Sequence, residues 1–198
     1  MKFFLHQTAV VDKGATIGEG TKIWHHAHIR EGARIGKKCI IGKNVYIDSD
    51  SVVGSGVKIE NNTCIYNSVL EDNVLIGPGV IITNDLYPRA FIWNDDKKGD
   101  KTIIKKGASI GANSTVICGV VVGEYAIIGA GSVVTKGVPP HTLAYGNPAK
   151  IHAFVCKCGN KLDAEKSEES DGVFVIECNK CKEKISIPID VFKQTIKL

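Results

Sequence analysis

Eleven positions six residues apart, all Leu, Ile or Val, run from Leu5 through Val11, Ile17, Ile23, Ile29, Ile35, Ile41, Ile47, Val53 and Ile59 to Ile65. The register then slips by one residue to Leu70, Ile76 and Ile82, and resumes at Ile104, Ile110, Val116, Val122, Ile128 and Val134. A helix repeats its buried face about every 3.6 residues and a simple strand about every two, so neither carries this spacing over such a length. Two places before the aliphatic residue stands a small or slender one, such as Ala9, Ala15, Thr21, Ala27, Ala33, Ser51 or Thr63. A glycine often follows it, as at Gly18, Gly36, Gly42, Gly54, Gly77, Gly111, Gly123 and Gly129.

A hexad suits a triangular coil in which six residues make one short strand and one corner. The aliphatic side chain points to the axis, the small residue fits the corner, and glycine tolerates the corner's backbone angles. Three hexads close a turn of about 18 residues, and stacked turns pair edge to edge about 4.8 Å apart. The pattern predicts an all-β, left-handed parallel β-helix of hexapeptide repeats, with about seven coils and one long inserted loop.

Three segments follow. Residues 1–138 read as β-helix, interrupted at 83–103. Val138-Pro139-Pro140 is expected to end the coil, because proline cannot donate to a ladder. Residues 139–153 form a connector containing Gly146-Asn147-Pro148, and 154–198 form a Cys-rich tail. In that tail, Cys156-Lys-Cys158 and Cys178-Asn-Lys-Cys181 fit a structural tetrathiolate zinc site in a zinc-ribbon-like module. Disulfides are the alternative, disfavoured in a reducing compartment. So short a module has too little core to fold unaided, and a metal would supply the missing stability. Four thiolates leave no open position for catalysis. Cys39, Cys64 and Cys118 fall within the hexads and read as small buried residues.

The formal net charge of +4 lies on residues 1–153, and the tail is neutral. That balance argues against nucleic-acid binding and suits small polyanions. No apolar run is long enough to span a membrane and no signal-peptide core is present, so the expectation is a cytoplasmic protein.

The insert departs from a rigid register, and such departures are commonly functional. Its first half, Asn84 to Trp93, carries polar, cationic and aromatic groups; Asn94 to Lys101 reads as a solvated, charged tip. Solenoids have few concave sites within one chain, so clefts are expected between neighbouring prisms of a homotrimer. Trp24, Tyr46 and Tyr66 lie outside the axial register, where an isolated prism would expose them.

Several segments occur in order: Phe4-Leu-His-Gln-Thr-Ala-Val-Val-Asp12, Lys22-Ile-Trp-His-His-Ala-His-Ile29, Thr83-Asn-Asp-Leu-Tyr-Pro-Arg89, Lys105-Lys-Gly-Ala-Ser-Ile-Gly-Ala-Asn-Ser-Thr115 and Gly146-Asn-Pro-Ala-Lys150. Over roughly residues 3–155 the chain resembles the nucleotide-linked 3-amino-sugar N-acetyltransferases, which act on UDP-2-acetamido-3-amino-2,3-dideoxyglucuronate or dTDP-3-amino-3,6-dideoxyhexoses. The resemblance implies acetyl-CoA as donor, a trimer with active sites between subunits, and a role in bacterial glycan precursor synthesis. It suggests Asn84 as the residue that orients the amine, with Asp85 as a charged base in its place. Trp24, His25, His26, His28 and Arg89 are candidates for the sugar nucleotide, and Gly111, Ala130, Gly131, Lys136, Asn147 and Lys150 for CoA. Each also has a plainer reading: Asn84 as a corner cap, the histidines as satisfied surface or core groups, Trp24 as packing between protomers, and Arg89 and the lysines as solvated charges.

The insert contains no histidine to serve as general base, as O-acylation of a hydroxyl would need. A sugar amine loses its proton far more readily. A trimeric β-helix carbonic anhydrase would need histidines stacked on His26, but residues 44 and 62 are both Asn. A non-catalytic scaffold would have no need of the insert.

Overall fold

The computed structural model describes residues 3–91 and 100–196. Nearly every hexad forms a two-residue strand, and the second residue is the axial aliphatic, as in Lys22–Ile23, His28–Ile29 and Arg34–Ile35. The strands stack into three parallel sheets, called I, II and III in the order the chain first visits them. Successive rungs lie 18 residues apart, as in Phe4↔Lys22, Val10↔His28 and Thr16↔Arg34. Where the register slips the offset falls by one, as in Lys58↔Leu75. About seven turns result, and the molecule is a parallel β-solenoid with a small C-terminal module.

The axial column from Ile23 to Val134 is buried throughout and forms a single core with Ala27, Ala33, Val45, Val57 and Ala108. Each fully buried isoleucine contributes about 1.5–3 kcal/mol relative to exposure. The column acts together with the backbone hydrogen bonds that join each coil to the next, such as Val10 N to Ala27 O at 2.8 Å.

The glycines that follow the axial residue have a different cause from the one the sequence suggested. Gly18 and Gly36 do not have positive φ; left-handed angles fall further round the corner, at Gly14, Gly20, His26, Gly32, Lys38, Asn44 and Asp50. The glycines after the aliphatic are needed because the next coil lies directly above. A Cβ on Gly36 would stand 2.7 Å from Ser55 N, and one on Gly18 would stand 2.6 Å from Lys37 N. Asn62, Asn67 and Asn73 do take left-handed angles. Asn61 does not; its Oδ1 accepts from Lys43 N at 2.7 Å.

Residues at both edges of the register break still pair. Thr83 N donates to Val116 O at 2.9 Å, and Thr102–Ile104 lies beside Ser68–Leu70. The tandem prolines do not end the solenoid. Val138 still bridges to Val122, and Thr142–Gly146 adds another parallel rung to sheet I against Ile127–Ile128. Pro139 and Pro140 turn a corner, where no ladder donor is required. Thr142–Gly146 then folds back antiparallel on Ala149–Phe154 through a cis Asn147–Pro148 bond.

The tail is a three-stranded antiparallel sheet, Glu168–Ser170, Val173–Glu177 and Lys184–Pro188, followed by a helix, Ile189–Ile196. It has a core of its own in which Phe154, Ile176, Ile185, Ile187 and Phe192 are buried. It is tied to the solenoid at His141, whose Nδ1 lies 3.1 Å from Val155 O and whose ring stacks on Tyr125. Lys157 pairs with Glu183 and lies over the Tyr125 ring. No helix among the described residues is long and apolar enough to cross a membrane.

Candidate functional site

The corner between sheets II and III carries a connected network of polar side chains. Residues one place after the axial aliphatic stack there, coil on coil: Asp12, Arg30, Asp48, Tyr66 and Thr83. One place before it, on the outer face of sheet II, stand Val10, His28, Tyr46 and Cys64. Asp12 is the hub of the lower part. His28 Nε2 lies 3.1 Å from both its carboxylate oxygens, and Arg30 Nε lies 3.2 Å from one of them. Arg30 also donates to Tyr46 Oη at 3.0 Å, and Tyr46 Oη donates to Asp48 Oδ1 at 3.1 Å. The Glu31 carboxylate, then Tyr46, raise the Arg30 pKa further, so the guanidinium stays charged. Burial pushes the Tyr46 and Tyr66 phenols upward, so both remain neutral donors.

The insert leaves the top of this column. Asn84 is half-buried and lines a cleft of about 430 Å³ with Arg34, Asp48, Ser49, Asp50, Asn67 and Lys101. Asp85 is exposed, and its Oδ1 accepts from Tyr87 N at 2.7 Å. Arg89 is also exposed and donates to Pro88 O at 2.8 Å; it is not among the residues lining the cleft. Trp93 and the charged tip expected from Asn94 lie, up to residue 99, outside the described residues.

The Trp-His-His-Ala-His segment divides between two places. His28 joins the Asp12 hub on sheet II. Trp24, His25 and His26 turn the corner between sheets I and II, where Trp24 packs on Phe4 and the His25 ring lies tilted against His6, their centroids 3.6 Å apart. Desolvation, then His6, His26 and Lys43, lower the His25 pKa, so that ring favours its neutral form. His26 has φ 55 and donates its backbone N–H to Thr8 Oγ1 at 3.1 Å. Trp24 is 38% exposed, whereas Tyr46 and Tyr66 are half-buried within one chain, their rings 5.2 Å apart.

Of the residues suggested for CoA, Gly111, Ala130 and Gly131 share the corner between sheets I and II; Gly131 N donates to Ala112 O at 2.8 Å. A Cβ on Gly111 would collide with the Ala130 backbone, while Gly131 faces open space at φ +69. Asn147 and Lys150 are carried to the same corner by the hairpin, where Gly146 N donates to Ser132 Oγ at 3.2 Å. Lys136 lies at the other corner, after Val133–Val134 of sheet II.

Cys156, Cys158, Cys178 and Cys181 converge, with all four sulfurs within 4.8 Å of one another. Cys156–Cys181 and Cys158–Cys178 are 3.4 Å and 3.7 Å apart. Four thiolates about 2.3 Å from a zinc ion stand about 3.8 Å apart along the tetrahedron's edges, so this donor set fits the metal. Backbone amides of Cys181 and Lys180 pull the Cys178 pKa down to about 6, favouring the thiolate. Among the other cysteines, Cys39 and Cys118 are buried, but Cys64 is half-buried on the outer face beside Tyr46.

The fold and its corners define a hexapeptide-repeat β-solenoid. The bacterial transferase hexapeptide pattern (six repeats) matches residues 14–49, 38–70 and 101–136. It is 61% identical over 62 residues to dTDP-3-amino-3,6-dideoxy-alpha-D-galactopyranose 3-N-acetyltransferase of Aneurinibacillus thermoaerophilus, a match covering 31% of this chain and 32% of that protein. The match thus spans about a third of the length of that curated relative. Two solved structures share the fold. LpxA, a UDP-N-acetylglucosamine acyltransferase of Bacteroides fragilis, has a TM-score of 0.62 at 21% identity over 74% of this chain and 59% of its own. The acetyltransferase domain of PglB from Neisseria gonorrhoeae, in complex with acetyl coenzyme A, has a TM-score of 0.50 at 23% identity over 75% and 57%.

Proposed function

We propose that the protein is an N-acetyltransferase that moves the acetyl group of acetyl-CoA to the 3-amino group of a UDP- or dTDP-linked amino sugar, in bacterial glycan precursor synthesis. The observation that carries this reading is the 61% identity to a dTDP-3-amino-sugar 3-N-acetyltransferase. The site agrees with it. Asn84 is held half-buried in a polar cleft at the stem of an insert that contains no histidine. Acyl transfer to an amine needs a neutral nucleophile aligned with the thioester, and a side-chain carbonyl that accepts from the amine provides the alignment without a strong base. Asp85 is less suited, being exposed and already bonded to the Tyr87 amide.

CoA would lie along the corner of Gly111, Ala130, Gly131, Asn147 and Lys150, with Lys136 approaching from elsewhere. The working form would be a homotrimer in the cytoplasm, with sites between neighbouring prisms. Trp24 and exposed Phe4, Val10 and Ile40 supply apolar surface for such contacts. The four cysteines would hold one structural zinc, which stabilises the tail and takes no part in acyl transfer.

A thermal-shift titration with CoA tests the donor. CoA at about 100 times its Kd would stabilise the folded protein by about 2.7 kcal/mol and raise its Tm. An unchanged Tm at millimolar CoA would favour a non-catalytic scaffold.

A further inference from the structure

The cleft beside Asn84 contains two cations that the sequence did not single out. Arg34 projects from the outer face of sheet III, exposed, and its guanidinium makes no ion pair or hydrogen bond among the described residues. Lys101 stands at the returning stem of the insert, one coil beyond Asn67, and among the described residues its Nζ reaches only the main-chain oxygen of Asp50, at 3.4 Å. The two acids in the same wall, Asp48 and Asp50, form no ion pair with either cation among the described residues. Asp48 accepts from the Tyr46 hydroxyl. The Asp50 carboxylate folds over Gly32 on the coil below, where a Cβ would overlap it. Arg30, by contrast, has two carboxylate partners, Asp12 and Glu31. Arg34 and Lys101 therefore flank Asn84 with no ion pair among the described residues, over a height of about three coil spacings, roughly 14 Å. A planar guanidinium and a flexible ammonium facing one cleft form a donor set for an anion with several oxygens.

We infer that Arg34 and Lys101 are an anion clamp that fixes the substrate beside Asn84, and that the group they hold is an anionic oxygen cluster next to the reacting sugar. This rests on the proposed transferase reading and deepens it. The cluster is either the diphosphate of the nucleotide or the C6 carboxylate of a uronate sugar. Both place negative charge a few bonds from a 3-amino group. The clamp assigns to Arg34 and Lys101 the recognition that the sequence had suggested for Arg89.

The test compares the wild-type protein with Arg34→Gln and with Arg34→Gln/Lys101→Gln. UDP and dTDP serve as binding probes, and uronate and 6-deoxy 3-amino sugars as substrates. A clamp on the diphosphate weakens binding of UDP or dTDP about tenfold or more and raises KM equally for both sugar types. A clamp on the carboxylate leaves the free nucleotides unaffected and raises KM for the uronate alone. In either case kcat and the KM for acetyl-CoA stay within about twofold, Arg34→Lys recovers part of the loss, and Lys184→Gln in the tail changes nothing. Unchanged nucleotide binding together with unchanged KM for both sugars would overturn the clamp. Nucleotide binding weakened by Arg34→Gln in a protein that transfers no acetyl group would uphold the clamp and sink the transferase.

Discussion

Asn84 and Asp85 are adjacent in the chain, yet only Asn84 lines the cleft. Asn84→Ala is therefore expected to lower kcat by about 10²-fold, with little effect on the KM for acetyl-CoA. Asp85→Asn should be far milder, since it leaves an oxygen able to accept from the Tyr87 amide. Steady-state kinetics decides; loss of turnover in Asp85→Asn with a near-normal Asn84→Ala would replace the orienting amide with a carboxylate base. A second residue-scale expectation concerns His141, whose pKa burial lowers below its ordinary value. As pH falls through about 6.5 the unfolded chain takes up a proton that the folded ring resists, so stability falls with falling pH in that window. Melting curves at pH 7.5 and 5.5 should show that loss, and His141→Asn, which tolerates the residue's φ of 58, should reduce it. An identical pH dependence in the variant would remove His141 from the account. At this scale the sequence pointed to Asn84 but not to Asp12, Arg30, Arg34, Tyr46, Asp48 or Lys101. Three of them were legible in principle: written in rows of 18, the chain stacks Asp12, Arg30 and Asp48 in one column. Arg34 and Lys101 were not, because their lack of a carboxylate partner among the described residues depends on where Asp48 and Asp50 turn.

At the scale of the element, the hexad pattern was enough to predict short strands, their axial residues and the single-residue slip. Each is a matter of which side chains reach the axis. The pattern could not assign the glycines their cause, since a left-handed corner and a close approach of the next coil both select Gly. Two substitutions separate them. Gly36→Ala keeps an allowed φ but forces a methyl into the coil above, an overpacking that costs about 1–3 kcal/mol or more. Gly20→Ala meets Lys38 Cγ only at 3.4 Å and has just its φ of +77 to strain, about 1–2 kcal/mol. Denaturant unfolding should rank Gly36→Ala as the more damaging; the reverse order would mean that backbone angle governs both. Pro139 and Pro140 mark the limit of element-level reading: two prolines forbid a ladder, but here they fall on a corner and the solenoid continues.

For the whole molecule, the hexad period anticipated the parallel β-solenoid of about seven turns. The small tail core and its tie through His141 follow from packing that no periodic pattern encodes. Metal analysis of protein purified without chelator should find about one zinc per chain, lost in Cys178→Ser/Cys181→Ser. Turnover should survive in part in that variant. Its complete loss from a protein of unchanged oligomeric state would draw the tail into the active site. Sedimentation at micromolar concentration should give a trimer; a monomer would remove the sites between subunits. The central claim is the reaction, and a panel of UDP- and dTDP-linked 3-amino sugars incubated with acetyl-CoA tests it most directly. Mass spectrometry should find one or more of the sugars heavier by a single acetyl group, with CoA released in equal amount, and turnover rising to a plateau as the sugar amine deprotonates. Acetylation of none of them, or transfer to a sugar hydroxyl in place of the 3-amino group, would contradict it.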